Sequence, residues 1–164
     1  MPPASWINEA IDLTVVQQKA EAVNRAGLQR LAAIRVKDAE VLLSAGQWPG
    51  AYYVAGYALE CALKSCILHH LEKTGIIFRD RKYLNKLGDS WTHELDTLLD
   101  LADLTSEFGA ARKANSVLDG YWSTAKNWKE TSRYEEKSEA EARGLLEAIT
   151  NDPNGMLRWI QMHW

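Results

Sequence analysis

The chain of 164 residues contains only two cysteines, Cys61 and Cys66. On a helix, side chains five positions apart point about 140° away from each other, so these two thiols cannot form a disulfide together. We therefore expect reduced thiols, which are typical of a cytoplasmic protein. Glycine and proline are also scarce, with 10 and 4 copies. This composition excludes a linker-rich or low-complexity protein, and the length suits one domain with a sizeable core.

The sequence has no long basic tail, and its formal net charge is -3. Strong non-specific binding to duplex DNA is therefore not expected. The N-terminus, MPPASWINEA, has no basic region followed by an apolar run, so we expect no signal peptide. The most apolar segment, 51–66 (AYYVAGYALECALKSC), carries Glu60 and Lys64 near its middle. Each charge would cost roughly 2.5–3.5 kcal/mol in a bilayer, which favours a buried helix and no membrane association.

Several motifs that carry well-known chemistry are missing. We find no glycine-rich phosphate loop, no Gly-x-Ser-x-Gly and no His-Glu-x-x-His. Cys66 and His70 share one helical face, and His69 is adjacent, but no second ligand pair completes a metal site. The sequence therefore predicts neither a metal nor a cofactor.

What the chain has instead is helical periodicity almost throughout, with no alternating strand pattern. It predicts a weak amphipathic helix over 6–23 and further helices over about 27–45, 51–71, 106–125 and 134–150. Thr92 resembles the N-cap of another helix, and a short helix follows the turn NDPNG. Segment 72–91 has no sustained period and is predicted to be a long, basic loop. The predicted fold is an all-α, up-and-down bundle of about four or five main helices.

Glu60 and Lys64 occupy one face of the most apolar helix. One interpretation is a solvated pair contributing roughly 0.3–0.5 kcal/mol. The alternative is a polar strip in a cleft, paired with Arg133 or His93 from other helices, because a buried carboxylate without a cation would be costly. The residues alone leave both interpretations open.

Three segments follow one another in a characteristic order: YYVAGYALECALKSCIL with its Glu-x-x-x-Lys, THELDTLLDLA, and NWKETSRYEEKSEAEARGLLEAI with its Arg-Tyr junction. In this order they resemble the HEPN family (higher eukaryotes and prokaryotes nucleotide-binding). The helix RLAAIRVKDAEVLLSAGQW is also similar to the family's first helix. The resemblance covers about 27–149. It implies an N-terminal extension over 1–26, a HEPN-like bundle over 27–164, and a homodimer with a cleft at the dimer axis.

Many HEPN proteins are metal-independent ribonucleases that use an Arg followed, after four to six residues, by a His. Arg133 lies where that Arg is expected, but positions 138–140 read Ser-Glu-Ala, so the motif is broken there. RWIQMH, from Arg158 to His163, satisfies the spacing in the terminal segment, where a match of this looseness is often due to chance. The resemblance therefore favours a protein without this activity.

The resemblance also implies a ligand-binding cleft. Arg133 and Lys64 would meet phosphates, Glu60 would orient Arg133, and His93 and Tyr134 would complete the lining. The expected ligand is RNA or a nucleotide, and the expected partner is a small nucleotidyltransferase in a toxin–antitoxin or defence system. Two alternatives remain: an active metal-independent ribonuclease using Arg133 with His93 or His163, and a purely structural interaction module.

Overall fold

Helices make up the fold of residues 24–164, which are the residues that the computed structural model describes. No strand occurs among them, so the prediction of an all-α protein is confirmed. The α-helices are α1 (Arg25–Ser44), α2 (Trp48–Thr74), α3 (Arg81–Lys86), α4 (Leu95–Leu101), α5 (Thr105–Ala114), α6 (Ser116–Ala125), α7 (Glu139–Thr150) and α8 (Met156–Ile160). Three short 3-10 helices cover Ile76–Phe78, Leu87–Trp91 and Glu130–Tyr134. The predicted helix over 6–23 lies outside the described residues.

Helix α2 is the centre of the bundle. It packs most extensively against α1, and also against α4, α7 and α8. Leu59 and Leu63 are fully buried in its middle, as expected for a helix that is apolar around most of its circumference. The short link after Ser44 turns the chain back, so that Ser65 of α2 reaches the backbone carbonyl of Arg25 at the start of α1. This long helix carries Glu60 and Lys64, the first two residues of the candidate site described below.

One close approach fixes how α2 meets the segment after α6. The indole of Trp128 lies directly over Gly56, where a Cβ atom would come within 2.1 Å of the ring. Trp128 is 2% exposed, and its Nε1 donates a hydrogen bond to the Tyr53 carbonyl at 3.1 Å. Only glycine leaves room for this contact.

The predicted loop over 72–91 is wrong, because most of it is helical. Asp80 caps α3 by accepting hydrogen bonds from the amides of Lys82 and Tyr83. Tyr83 is buried and donates its hydroxyl to the Leu101 carbonyl at 2.7 Å. One cap and one buried ring hold a helix of 6 residues, which is too short for apolar periodicity to show in the sequence.

Three predicted helix boundaries also differ from the structure. The helix predicted over 106–125 breaks at Asn115, whose side chain caps α6 by accepting from Val117 and Leu118. Helix α7 begins at Glu139 rather than 134, because Ser138 and Glu141 form a reciprocal capping box. The Thr92 hydroxyl accepts from the Glu94 amide, but Glu94, not Thr92, is the N-cap of α4. No helix among residues 24–164 is long and apolar enough to cross a membrane.

Candidate functional site

A buried carboxylate on α2 is the starting point of the site. Glu60 is 5% exposed. Lys64, one turn further along, donates to Glu60 Oε1 at 2.7 Å, and His93 Nδ1 lies 2.7 Å from Oε2. Because an ionised carboxylate can only accept hydrogen bonds, the proton of the second contact belongs to His93 Nδ1. Both oxygens of Glu60 are therefore satisfied, as burial of a charge requires.

His93 lies between two carboxylates. It comes from the segment that joins the 3-10 helix Leu87–Trp91 to α4, and its Nε2 is 3.8 Å from Glu130 Oε2. The Tyr57 ring stands edge-on to the imidazole, with ring centroids 6.0 Å apart. The imidazole is thus held from three directions by residues of α2 and of the 3-10 helix Glu130–Tyr134.

Arg133 ends the chain of contacts at the surface. Its Nη1 is 2.5 Å from Glu130 Oε1, and its guanidinium lies 4.8 Å from the centroid of the Tyr134 ring. The side-chain oxygens of Tyr53 and Tyr134, in that order, raise the pKa of Arg133 above its ordinary value, so the group is always charged. Tyr134 itself is 78% exposed. A charged fork beside an open aromatic face is well suited to a planar, phosphate-bearing ligand.

We call this chain of contacts the Glu60 network; it consists of Lys64, Glu60, His93, Glu130 and Arg133. The structure brings together the predicted residues Glu60, Lys64, His93 and Arg133, and Tyr134 lies against the last of them. One predicted role needs correction: Glu60 contacts Lys64 and His93, and the carboxylate that orients Arg133 is Glu130. Glu130 was not among the predicted residues, although its position three residues before Arg133 is a helical pairing distance.

An aromatic layer lies beneath the network. The Tyr57 ring packs edge-to-face on Tyr53 and on Trp128, at centroid distances of 5.1 and 5.2 Å. The hydroxyls of Tyr53 and Tyr57 are 3.0 Å apart. Burial, and then the contact with Tyr53, raises the pKa of Tyr57 well above its usual value. The edge-on contact of Tyr57 with His93 connects this aromatic layer to the network.

The other candidate catalytic residue, His163, lies elsewhere. Its ring stacks on Trp159 at 4.3 Å, and its Nδ1 is 3.9 Å from Glu107 Oε2. Arg158 is on α8, where its nearest acidic partner is Asp152 at 3.6 Å. None of these contacts connects the Arg158–His163 pair with the Glu60 network.

An apolar groove of about 250 Å³ adjoins the network at Lys64. Trp91 lies at its edge and is 87% exposed. The rest of the lining is mainly aliphatic: Leu28, Ile67, Leu68, Leu71 and Leu87. Sequence analysis gave no reason to single out Trp91 among the tryptophans, because nothing in its neighbourhood distinguishes an exposed indole from a buried one.

The thiols and imidazoles of α2 do not form a recognisable metal centre. Among residues 24–164, no group of three or more potential ligands could hold a metal ion. Both cysteines are free, and burial raises the pKa of the Cys66 thiol to about 12. Cys66 is therefore a neutral thiol at physiological pH when no metal is bound.

These contacts define an all-α helical bundle with a polar network on its central helix. No protein-family model matches the chain, and neither the curated proteins nor the solved structures include a significant match to it.

Proposed function

We propose that this protein is a HEPN-type helical protein that binds RNA or a nucleotide at the Arg133 end of the Glu60 network, without cleaving it. The observation that carries the proposal is the convergence of the motif residues. Glu60, His93 and Arg133 come from three separate segments, and Glu130 joins the last two. The order of those segments is also the basis of the family resemblance.

In this proposal, the residues of the network have different parts in binding. Glu130 holds the Arg133 guanidinium, whose side chain is 41% exposed and so can reach a phosphate. The open ring of Tyr134 offers a surface on which a base can stack. The two cations, Lys64 and Arg133, are balanced by Glu60 and Glu130, so we expect modest affinity and a shallow salt dependence.

The resemblance further implies a homodimer and a small nucleotidyltransferase as partner. Both are predictions that depend on the family assignment. Light scattering during gel filtration measures the first, and a monomer at micromolar concentration would remove it. The partner would be sought as the product of a neighbouring gene and tested by co-purification.

Titration of fluorescent single-stranded RNA and of ATP with the Arg133→Ala variant tests the binding site. We expect at least a tenfold loss of affinity, because the variant removes the one guanidinium of the network. Arg143→Ala is the matched control, since Arg143 is also exposed and also pairs with a glutamate. If the two variants bind equally well, the binding site is not at Arg133.

A second candidate function is a metal-independent endoribonuclease that uses Arg133 and His93. We favour His93 over His163 for this role because Glu130 contacts both His93 and Arg133. With its proton on Nδ1 and facing Glu60, a neutral His93 has a free electron pair on Nε2. This atom could take the proton of an RNA 2′-hydroxyl. The 2′-oxygen would then bond to the adjacent phosphorus, the bond from phosphorus to the 5′-oxygen would break, and that oxygen would take up a proton, leaving a 2′,3′-cyclic phosphate.

Incubating labelled RNA with the protein in EDTA separates the two functions. Cleavage that is lost in His93→Ala and kept in His163→Ala supports the ribonuclease. Absence of cleavage, or cleavage that neither histidine affects, excludes it and leaves the binding function.

A further inference from the structure

A second polar pocket lies further along α2, away from the Glu60 network. Its volume is about 300 Å³, and its lining includes three of the four histidines of the chain: His69, His70 and His163. We call it the His70 pocket. Since a water molecule occupies about 30 Å³ in the liquid, the pocket has room for about ten waters, far more than one bridging water needs.

Two nitrogens of the imidazoles that line this pocket have no hydrogen-bond partner among residues 24–164. Nε2 of His70 and Nε2 of His163 are buried, and neither makes a hydrogen bond to any described residue. A buried polar atom left unpaired costs about 1–3 kcal/mol. Packing holds both rings in place all the same: His70 lies 5.4 Å from the Tyr83 ring, and His163 lies 4.3 Å from Trp159. Unpaired nitrogens on fixed rings at a roomy pocket point to a ligand that completes their hydrogen bonds.

Two other lining residues, His69 and Lys73, supply hydrogen-bond donors. Arg25, outside the pocket lining, has its Nη1 2.9 Å from His69 Nδ1. Because a guanidinium can only donate, the neutral His69 ring carries its proton on Nε2. Lys73, one turn beyond His70, is exposed and forms no ion pair within residues 24–164. These two groups can donate but cannot accept, which favours an acceptor-rich, negatively charged ligand.

Two acidic residues, Asp103 and Glu107, also line the pocket. Asp103 and Glu107 are both exposed, and the Glu107 side chain is 64% open to solvent, so water screens their charge. Glu107 is also close to the Nδ1 side of His163, opposite the unpaired Nε2. The three imidazoles of the lining are therefore more buried than its two carboxylates, which are exposed to water.

We propose that the His70 pocket binds a small organic oxyanion, whose phosphate or carboxylate group is held by Nε2 of His70 and His163 and by the Lys73 ammonium. This proposal is independent of the function proposed for the Glu60 network. His70 lies ten residues after Glu60, about 15 Å along the helix axis.

Nitrogen-15 NMR of the histidine side chains tests the proposal, because the chain has only four histidines. Inorganic phosphate is the first probe and acetate the second, with chloride at equal ionic strength as the reference. We expect saturable shifts of the His70 and His163 Nε2 signals, with little change at His93, which reports on the Glu60 network. A response to phosphate alone identifies a phosphate ligand, and a response to acetate alone a carboxylate.

Two variants localise the binding. His163→Gln should weaken it at least tenfold, as read from the His70 signal. Lys73→Met should weaken it at least threefold, and because Lys73 is exposed, this variant tests the site without threatening the fold. The proposal is overturned if neither anion gives a saturable shift beyond that of chloride, or if both variants bind like the parent protein.

Discussion

The Glu60 network and the His70 pocket both include side chains of α2, but they differ in how their buried polar atoms are hydrogen-bonded. At Glu60, both carboxylate oxygens have a partner at 2.7 Å, and an aromatic layer packs beneath them. At the His70 pocket, Nε2 of His70 and Nε2 of His163 are buried and have no partner among the described residues, and both rings line a pocket of about 300 Å³. Paired groups hold segments in position, whereas unpaired groups next to free volume leave a place for a ligand.

We expect the largest loss of stability from a substitution of Gly56, one turn before Glu60. Gly56→Ala places a methyl group within 2.1 Å of the Trp128 indole, which its hydrogen bond to Tyr53 holds in place. We expect the free energy of unfolding to fall by about 3 kcal/mol, as measured by urea denaturation. Gly144→Ala in α7 is the control, because a Cβ there meets nothing within 4 Å. The control should gain roughly 0.5–1 kcal/mol from helix propensity, and equal effects of the two variants would contradict the tight packing.

We expect the second largest loss of stability from Glu60→Ala, which leaves Lys64 and His93 without their shared partner. A fully buried ion pair loses about 3–5 kcal/mol in this way. The side chains of Lys64 and His93 are 25% and 35% exposed, so water compensates in part and we expect a loss of about 2 kcal/mol. Glu139→Ala, which breaks the exposed pair with Arg143, should cost only about 0.3–0.5 kcal/mol in the same denaturation experiment. A loss at Glu60 as small as this would mean that the network is solvated.

We expect a smaller change in stability from a substitution in the His70 pocket. His163→Phe keeps a ring on Trp159 and removes the unpaired nitrogen. Without a bound ligand, thermal unfolding should show a change within about 0.5 kcal/mol, or a gain of up to about 1 kcal/mol, because no hydrogen bond is lost. A loss above about 1.5 kcal/mol would show that the nitrogen is already paired.

The last prediction concerns the reactivity of Cys66, which also lines the His70 pocket, and not the stability of the fold. Since burial raises the pKa of this thiol to about 12, only about one molecule in 10⁴ carries a thiolate at pH 8. In the native protein, Ellman's reagent should therefore modify Cys66 at least 100-fold more slowly than in the unfolded chain. Raising the pH from 7 to 9 should still leave the native thiol mostly neutral. Equal rates in the two states would place a reactive thiolate in the pocket.

Much of the fold could be predicted from the sequence because its longest helices carry their signals locally. Pro49 in the first turn of α2 and Gly75 with a φ of 58° at its end delimit an apolar run that the periodicity already indicated. Segment 72–91 could not be predicted in the same way. Its helix α3 depends on the Asp80 cap and on a long-range hydrogen bond from Tyr83, and neither produces a repeating pattern.

The candidate site was predictable only in part, for a similar reason. Glu60 and Lys64 share a helical spacing that the sequence displays, and His93 and Arg133 were found through the order of motifs. Glu130 was missed because its role depends on His93, which reaches it only in the folded bundle. The His70 pocket was missed because His70 and His163 are far apart in sequence, and no local pattern shows that both rings lose water on folding.

The contact between Gly56 and Trp128 has a consequence for how this sequence can vary. A side chain at position 56 is excluded only as long as a large ring occupies position 128. A larger residue at 56 therefore requires a smaller residue at 128. In a library randomised at both positions and selected for folding, we expect glycine at 56 wherever tryptophan is kept at 128. Alanine or serine at 56 should be recovered only with a smaller partner. Such paired substitutions in natural relatives would mark proteins in which the same helix meets the same segment.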